Sequence, residues 1–345
     1  MIIFRPSQLE AIGADIFQAI GAPREVAEQV AHSLVQSNLM GHDSHGVMRI
    51  PRYVDAFEKG GLVPSARPAI LKETATTATV DGSWGFGNLT AHFATELALA
   101  KAGTANVAAV SMVRCNHIGR LGEYTEMAAR QGMIAFMLGA IFSRGSAAPY
   151  GGARRILGTN PISFAVPTGQ SAPVVVDFAT TVAAEGKLSV ARSKKQRLEP
   201  GIILDKDGNP STDPNDYYNG GMLLPFGGHK GYGLSVIAEL VGRFLAGGEA
   251  YASSQTSSFS NLIVAVNVEA FRPLAEFQAL VNGRLGEIKA IPPAPGFTEV
   301  LLPGEPEQRT QTQRGQTGIS VPDDTWTTIK EIATRLKIPV PNGAG

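Results

Sequence analysis

From residue 69 to about residue 319, short runs rich in β-branched and aromatic residues alternate with longer segments of helical period. That alternation limits the chain to an α/β architecture, with helices packed on a parallel or mixed sheet. The candidate strands are 69–72, 78–80, 107–113, 133–138, 163–166, 174–178 and 262–268. The candidate helices are 89–101, 121–131, 232–245, 270–285 and 323–336. Before residue 69 the pattern is helical throughout. Ser7-Gln8-Leu9-Glu10 has the form of a capping box, and a second helix over 23–40 stops at Gly41. A third starts near His45, carries Arg49 and Tyr53 four apart on one face, and ends at Gly60-Gly61. Segment 204–219 reads as a loop by composition, and the Ser-rich stretch 249–261 as a mobile one. The expected organisation is an α/β domain over 69–319 beside a smaller helical domain, 1–68 joined by the helix at about 320–340.

Composition removes several function classes. Lys+Arg and Asp+Glu are both 30, so the chain lacks the basic surface that a nucleic-acid partner needs. The single Cys115 excludes an intramolecular disulfide framework. The N-terminal residues lack the apolar core of a signal peptide, and no apolar run reaches the roughly 18 residues of a membrane span. A cytoplasmic protein without a membrane partner is expected.

The chemistry gathers where glycines bracket titratable groups. Between Gly41 and Gly46 lie His42, Asp43, Ser44 and His45, followed by Arg49 and Tyr53. Ser44 and His45 can share a proton, and the planar fork of Arg49 can grip a carboxylate, unless Asp55 or Glu58 takes it as an ion pair. Two further histidines sit in similar settings, His117 within Cys115-Asn116-His117-Ile118-Gly119-Arg120 and His229 within Gly227-Gly228-His229-Lys230-Gly231. His32 and His92 read as ordinary satisfied polar residues. His42 and His45 lack the companions of a metal site, so no metal is expected. Ser44 lacks the strand-to-helix elbow of a nucleophilic serine.

No G-x-G-x-x-G or P-loop pattern occurs in the required context, so a standard Rossmann site is excluded. A dinucleotide would have to be held in another way, and three places qualify. The amides of the Gly227 to Gly231 turn and Lys230 precede an apolar helix. Thr159 and Asn160 lie in a turn entering a strand, and Pro303-Gly304-Glu305-Pro306 follows a strand, with Arg309 beyond it.

Together these pieces resemble the type 2 malate/L-lactate dehydrogenase family. That family includes ureidoglycolate, sulfolactate and diketogulonate dehydrogenases and cyclic-imine reductases such as Δ1-piperideine-2-carboxylate reductase. The matching stretches, in order, are Gly41 to Tyr53, Asn116 to Gly122, Leu157 to Ile162, Asp177 to Thr180, Gly186-Lys187, Leu224 to Leu234 and Pro303 to Glu305. They span about residues 5 to 335. The resemblance implies a non-Rossmann, nicotinamide-dependent oxidoreductase using NAD or NADP, assembled as a homodimer with its active site near the subunit contact. By motif match the cofactor would meet His117, Ile118, Gly119, Arg120, Leu121, Val175, Val176, Asp177, Gly228, His229, Lys230, Pro303, Gly304 and Glu305. The substrate would meet Ser44, His45, Arg49 and Tyr53.

The implied reaction is hydride transfer between the cofactor and a small 2-hydroxy acid or 2-keto acid, malate- or lactate-like. It needs a group that gives and takes a proton near neutral pH, which a histidine supplies; His117 ranks first, then His45 with Ser44 as its relay. Arg49 suits the substrate carboxylate better than a lysine would. The alternatives are an NADPH-dependent reductase of a cyclic imine carboxylate and a non-catalytic carboxylate- or dinucleotide-binding protein. Two departures from the family pattern bear on specificity: Thr181 stands where many members carry serine, and 195–202 lacks the usual tryptophan.

Overall fold

The computed structural model describes residues 2–142, 145–169, 172–251 and 258–340. Seven strands form one mixed sheet in the order Ala69–Glu73, Thr77–Asp81, Val107–Cys115, Ser258–Asn267, Met133–Phe142, Ile162–Val166 and Val174–Phe178. Among the described residues its one parallel pairing joins Thr77–Asp81 to Val107–Cys115, and the long helix Gly87–Ala105 makes the crossover that parallel strands require. That helix buries Ala91, Ala94, Ala98 and Ala102, small side chains at helical spacing that let its backbone lie close on the sheet.

A second core unites the two ends of the chain. Phe17, Leu34 and Ile50 pack with Ile319, Trp326 and Ile329, and strand Ile2–Phe4 pairs antiparallel with Ile319–Val321. A third, smaller core gathers Leu188, Leu198, Ile203 and Tyr217. It lies by a three-stranded sheet of Met222–Leu223, Ile203–Leu204 and Pro210–Ser211. No described helix is long and apolar enough to cross a membrane.

The α/β expectation and all seven expected strands are borne out, but several local readings are not. The first helix is Pro6–Ala19, with Arg5 as its N-cap, and Gln8 Oε1 accepts the Arg5 N–H at 2.8 Å. The reciprocal bond thus sits two residues before Ser7 and Glu10, because Pro6 at the first helical position fixes the start. The third helix begins at Ile50, after two short 3₁₀ turns over Asp43–His45 and Val47–Arg49. Arg49 is therefore the N-cap of the helix that carries Tyr53 rather than a residue inside it, and both line one cavity. Segment 204–219 is not loop throughout: it holds the Pro210–Ser211 strand and the helix Pro214–Tyr218. That helix starts from Asp213, whose carboxylate caps the Asn215 N–H. Pro303 does not follow a strand; the turn leads into helix Glu305–Thr317. Of the Ser-rich stretch 249–261, residues 252–257 lie outside the described residues.

Candidate active site

The loop from His42 to Arg49 is held from two sides. Asn38, at the end of helix Arg24–Leu39, accepts the Val47 N–H at 2.8 Å through Oδ1 and donates to Asp43 at 2.7 Å. Arg314 grips both oxygens of Asp43, at 2.6 and 3.1 Å. This is the bidentate geometry that makes Arg–carboxylate pairs directional. Helix Glu305–Thr317 makes no buried contact that sequence periodicity would reveal, yet it orients the loop through that pair.

Within the loop, Ser44 Oγ and His45 Nδ1 are 3.0 Å apart, so the expected proton-sharing pair forms. Arg49 donates through Nε to the Ser44 carbonyl at 2.6 Å. Its suggested acidic partners are engaged elsewhere, Asp55 with Lys59 and Glu58 with Arg335. Among the described residues the outer guanidinium nitrogens of Arg49 are left for a ligand.

His117 arrives from the other side, just beyond strand Val107–Cys115. The turn is fixed by Asn116, whose Nδ2 donates to the carbonyls of Gly61, Trp84 and Gly85 at 2.9–3.1 Å. Gly87 lies so close that a Cβ there would stand 2.1 Å from the Asn116 oxygen and 2.4 Å from that of His117. Both are backbone atoms and cannot swing aside. Gly87→Ala is therefore expected to cost about 3 kcal/mol of stability, read as a lower denaturant midpoint. An unchanged midpoint would mean the close approach is not real.

The two halves meet at the histidines. The rings of His45 and His117 stack with centroids 5.4 Å apart, and Phe259 closes edge-on against His117 at 5.5 Å. Phe259 is placed there by a bulge in its strand, a common device for re-aiming a side chain. Tyr53 Oη lies 3.0 Å from His117 Nδ1. The Gly119 N–H also donates to that nitrogen, at 3.2 Å, which puts the ring proton on Nε2. Arg49, Arg52, Tyr53, His117 and Phe259 line a cavity of about 220 Å³, roomy enough for a small carboxylic acid.

Burial, reinforced by the Arg49 charge, pushes the His45 pKa down to about 3 and that of His117 well below its ordinary value. Both rings are neutral at pH 7. The unfolded chain takes up these protons near pH 6.5 and the folded chain only at much lower pH, so stability is constant above that range and falls as pH drops below it. His45 alone should remove about 2 kcal/mol by pH 5. Denaturation of the wild type and His45→Gln across pH 4–8 should give a constant difference above about pH 6.5 and a steeper acid loss in the wild type below it. Curves that stay parallel down to pH 4 would refute the assignment.

Part of the set expected from sequence to meet a cofactor lies at the edge strand Val174–Phe178, where Pro303 and Gly304 meet Val175 and the turn after His117 meets Asp177. Asp177 Oδ2 accepts the Gly122 N–H at 2.7 Å. Burial raises the pKa of this carboxyl, against the opposing pull of Arg120 and that amide. The Val175 N–H donates to the Pro303 carbonyl, and Gly304, at φ +88°, packs against Val175. Val176 pairs with Phe164 in the neighbouring strand. The Thr180 N–H donates to Thr159 O, and the Phe226 N–H to Thr180 O, which draws three separate motifs together.

The side chains of Ile118 and Leu121 belong to the core, and Arg120 is buried against Glu126 at 3.0 Å, so only the backbone of this turn is available. The Glu305 carboxylate is engaged with Lys289 and the Leu302 N–H. Lys230 is exposed and makes no ion pair among the described residues, in the first turn of helix His229–Glu239. Gly228 and His229 face Tyr150, and among the described residues no contact joins His229 or Lys230 to the histidine pair. Asn38, Asn88, Asn116 and Phe259 shape the site without having been singled out in the sequence.

The family model described as malate/L-lactate dehydrogenase matches residues 4–330. The L-sulfolactate dehydrogenase of Methanocaldococcus jannaschii is 35% identical, with 98% of each chain covered. The crystal structure of malate dehydrogenase from Entamoeba histolytica superimposes with a TM-score of 0.93 at 28% identity, over 99% of both chains. That of Δ1-piperideine-2-carboxylate reductase from Pseudomonas syringae pvar. tomato gives 0.83 at 27% identity, over 96% of this chain and all of that one. Membership of such a family implies a nicotinamide cofactor. A family model matching residues 4–330, with relatives 35% identical along almost the whole length, makes this chain an oxidoreductase of the malate/L-lactate dehydrogenase family.

Proposed function

We propose that the protein oxidises a small 2-hydroxy acid, malate- or lactate-like, and reduces the corresponding 2-keto acid with NAD or NADP. The observation that carries this reading is one cavity lined by a histidine ring and by Arg49, whose outer nitrogens have no partner among the described residues. The carboxylate binds the outer nitrogens of Arg49, and the carbon bearing the oxygen then lies toward the rings.

The hydrogen bonds divide the work between the two histidines. His117 presents Nε2–H, because Nδ1 is occupied by Tyr53 and Gly119, and so steadies the substrate oxygen as a neutral donor. His45 exchanges the proton: its partner, Ser44, can donate or accept and leaves either ring nitrogen free to change state. This reverses the order expected from sequence. Burial is the main cause of the depression of both rings, and a bound carboxylate offsets the part that the Arg49 charge adds, raising the His45 pKa.

A nicotinamide cofactor, when bound, supplies or accepts the hydride. The residues along the edge strand suit it. Asn160 Oδ1 is buried without a partner among the described residues and can accept from a carboxamide, and Lys230, in the first turn of a helix, suits a phosphate in this reading. The backbone of His117 to Leu121, Val175 to Asp177, Gly228 and Pro303 to Glu305 completes the cradle in this reading.

The same reading makes the protein a cytoplasmic homodimer, with residues 1–68 and about 320–340 as a helical domain beside 69–319. Support for a second copy comes from Leu234, Ile237, Leu240, Phe244 and Leu245, an exposed apolar stripe continuing the helix that begins at His229. The likeness to Δ1-piperideine-2-carboxylate reductase favours a second reading, reduction of a cyclic imine carboxylate at the same Arg49. Malate, lactate, sulfolactate and a cyclic imine carboxylate should be compared with both cofactors. Hydroxy-acid oxidation is expected, and imine reduction alone would replace the first reading by the second.

A further inference from the structure

Tyr53 has one proton and two good acceptors for it. Its oxygen lies 3.0 Å from His117 Nδ1 and 3.1 Å from Asn88 Oδ1, with the His117 carbonyl a weaker third at 3.4 Å. The orientation of Asn88 is fixed from behind. Its Nδ2 donates to Ser33 Oγ at 2.7 Å and to the Ile118 carbonyl at 3.2 Å, so Oδ1 must be the atom facing Tyr53. Ser33 in turn donates to Glu123 at 2.7 Å, and Glu123 is held by His92 at 2.7 Å. Asn88 and Ser33 are fully buried, so no water competes for these positions. Every bond behind Tyr53 has one direction, and the phenol alone is free to choose.

We propose that Tyr53 and Asn88 set the tautomer of His117 and let it match either redox form of the substrate. This rests on the dehydrogenase reading above. When the phenol donates to Nδ1, the ring proton sits on Nε2 and the cavity receives a hydrogen-bond donor, which suits a carbonyl oxygen. When the phenol donates to Asn88, Nδ1–H donates to the phenol oxygen and Nε2 becomes an acceptor, which suits a hydroxyl. The Gly119 contact, at 3.2 Å the longest of the set, is given up in the second state. Each state holds one ring proton and one phenol proton. They interconvert by exchange of the ring proton with solvent while the cavity is open, with no net gain or loss. Tyr53 and Asn88 are thus positioning residues for His117.

The test is the nitrogen NMR signature of His117 in histidine-labelled full-length protein with reduced cofactor, carrying either oxamate as the keto-acid mimic or a 2-hydroxy acid as a dead-end complex. The wild type should hold Nε2–H with oxamate and Nδ1–H with the hydroxy acid. Asn88→Leu removes the good alternative acceptor, leaving only the weaker His117 carbonyl, and Tyr53→Phe removes the phenol, so both should keep Nε2–H with either ligand. Hydroxy-acid affinity should fall about tenfold further than oxamate affinity, the effect of one mismatched hydrogen bond. A wild-type tautomer that is the same in both complexes, or variants that still change it, would overturn the proposal. Turnover with an unchanged tautomer fails this inference alone, whereas wild type that oxidises no 2-hydroxy acid fails the dehydrogenase reading as well.

Discussion

Arg49→Ala is expected to lower kcat/KM for a 2-hydroxy acid by about 10²–10⁴-fold. The guanidinium is aimed by its own Nε bond to the Ser44 carbonyl, which leaves the outer nitrogens to face the cavity. Two charge-assisted bonds to a carboxylate, at about 1.5–3 kcal/mol each, account for the size of the loss. Arg49→Lys should recover only part of it, because an ammonium keeps the charge but not the planar fork. Cofactor affinity should change far less, since among the described residues Arg49 hydrogen-bonds only to the Ser44 carbonyl. A kcat/KM within about threefold of wild type, measured on a folded variant, would remove Arg49 from the substrate site.

The second large effect separates the two histidines. His45→Asn should lower kcat by about 10²–10⁴-fold, the usual contribution of general acid/base catalysis. His117→Asn should lose about 10–100-fold, the effect of one or two hydrogen bonds in the transition state. The larger loss belongs to His45 because Ser44 gives it a partner of either polarity, whereas the protonation of His117 is set from behind by its Tyr53 and Gly119 contacts. Steady-state kcat on both variants, with cofactor binding followed separately by fluorescence, decides between them. The opposite ranking would return the proton to His117.

Much of the sheet was legible because its strands are runs of Val, Ile, Ala and Phe. The beginning of Ser258–Asn267 was not, since Ser258-Phe259-Ser260 has no strand-forming run and is placed by pairing with the neighbouring strand. Helix Glu305–Thr317 is polar all round, so no period marks it, and its fixed point is the long-range pair between Arg314 and Asp43. Asp213-Pro214 did carry a readable helix start, an N-cap followed by proline, inside a segment whose composition argued for loop.

At the site, Ser44, His45, Arg49 and His117 stood out because glycines isolate them. Asn38, Asn88 and Asn116 did not, as a buried asparagine becomes a hub only through partners distant in sequence: Asn88 reaches Tyr53, 35 residues away, and Ser33, 55 away. The placing of Arg49 ahead of its helix has the same origin. Gly46 is needed because a Cβ there would stand 2.1 Å from Asn38 Oδ1, the atom that takes the Val47 N–H where the expected helix would run.

The most direct measurement is transfer of label from a 2-hydroxy acid carrying deuterium on the hydroxyl-bearing carbon. After incubation with oxidised cofactor in ordinary water, the reduced cofactor should hold one deuterium at the nicotinamide C4, and His45→Asn should slow its appearance without diluting it. No reduced cofactor, or reduced cofactor bearing hydrogen from solvent, would contradict hydride transfer at this cavity.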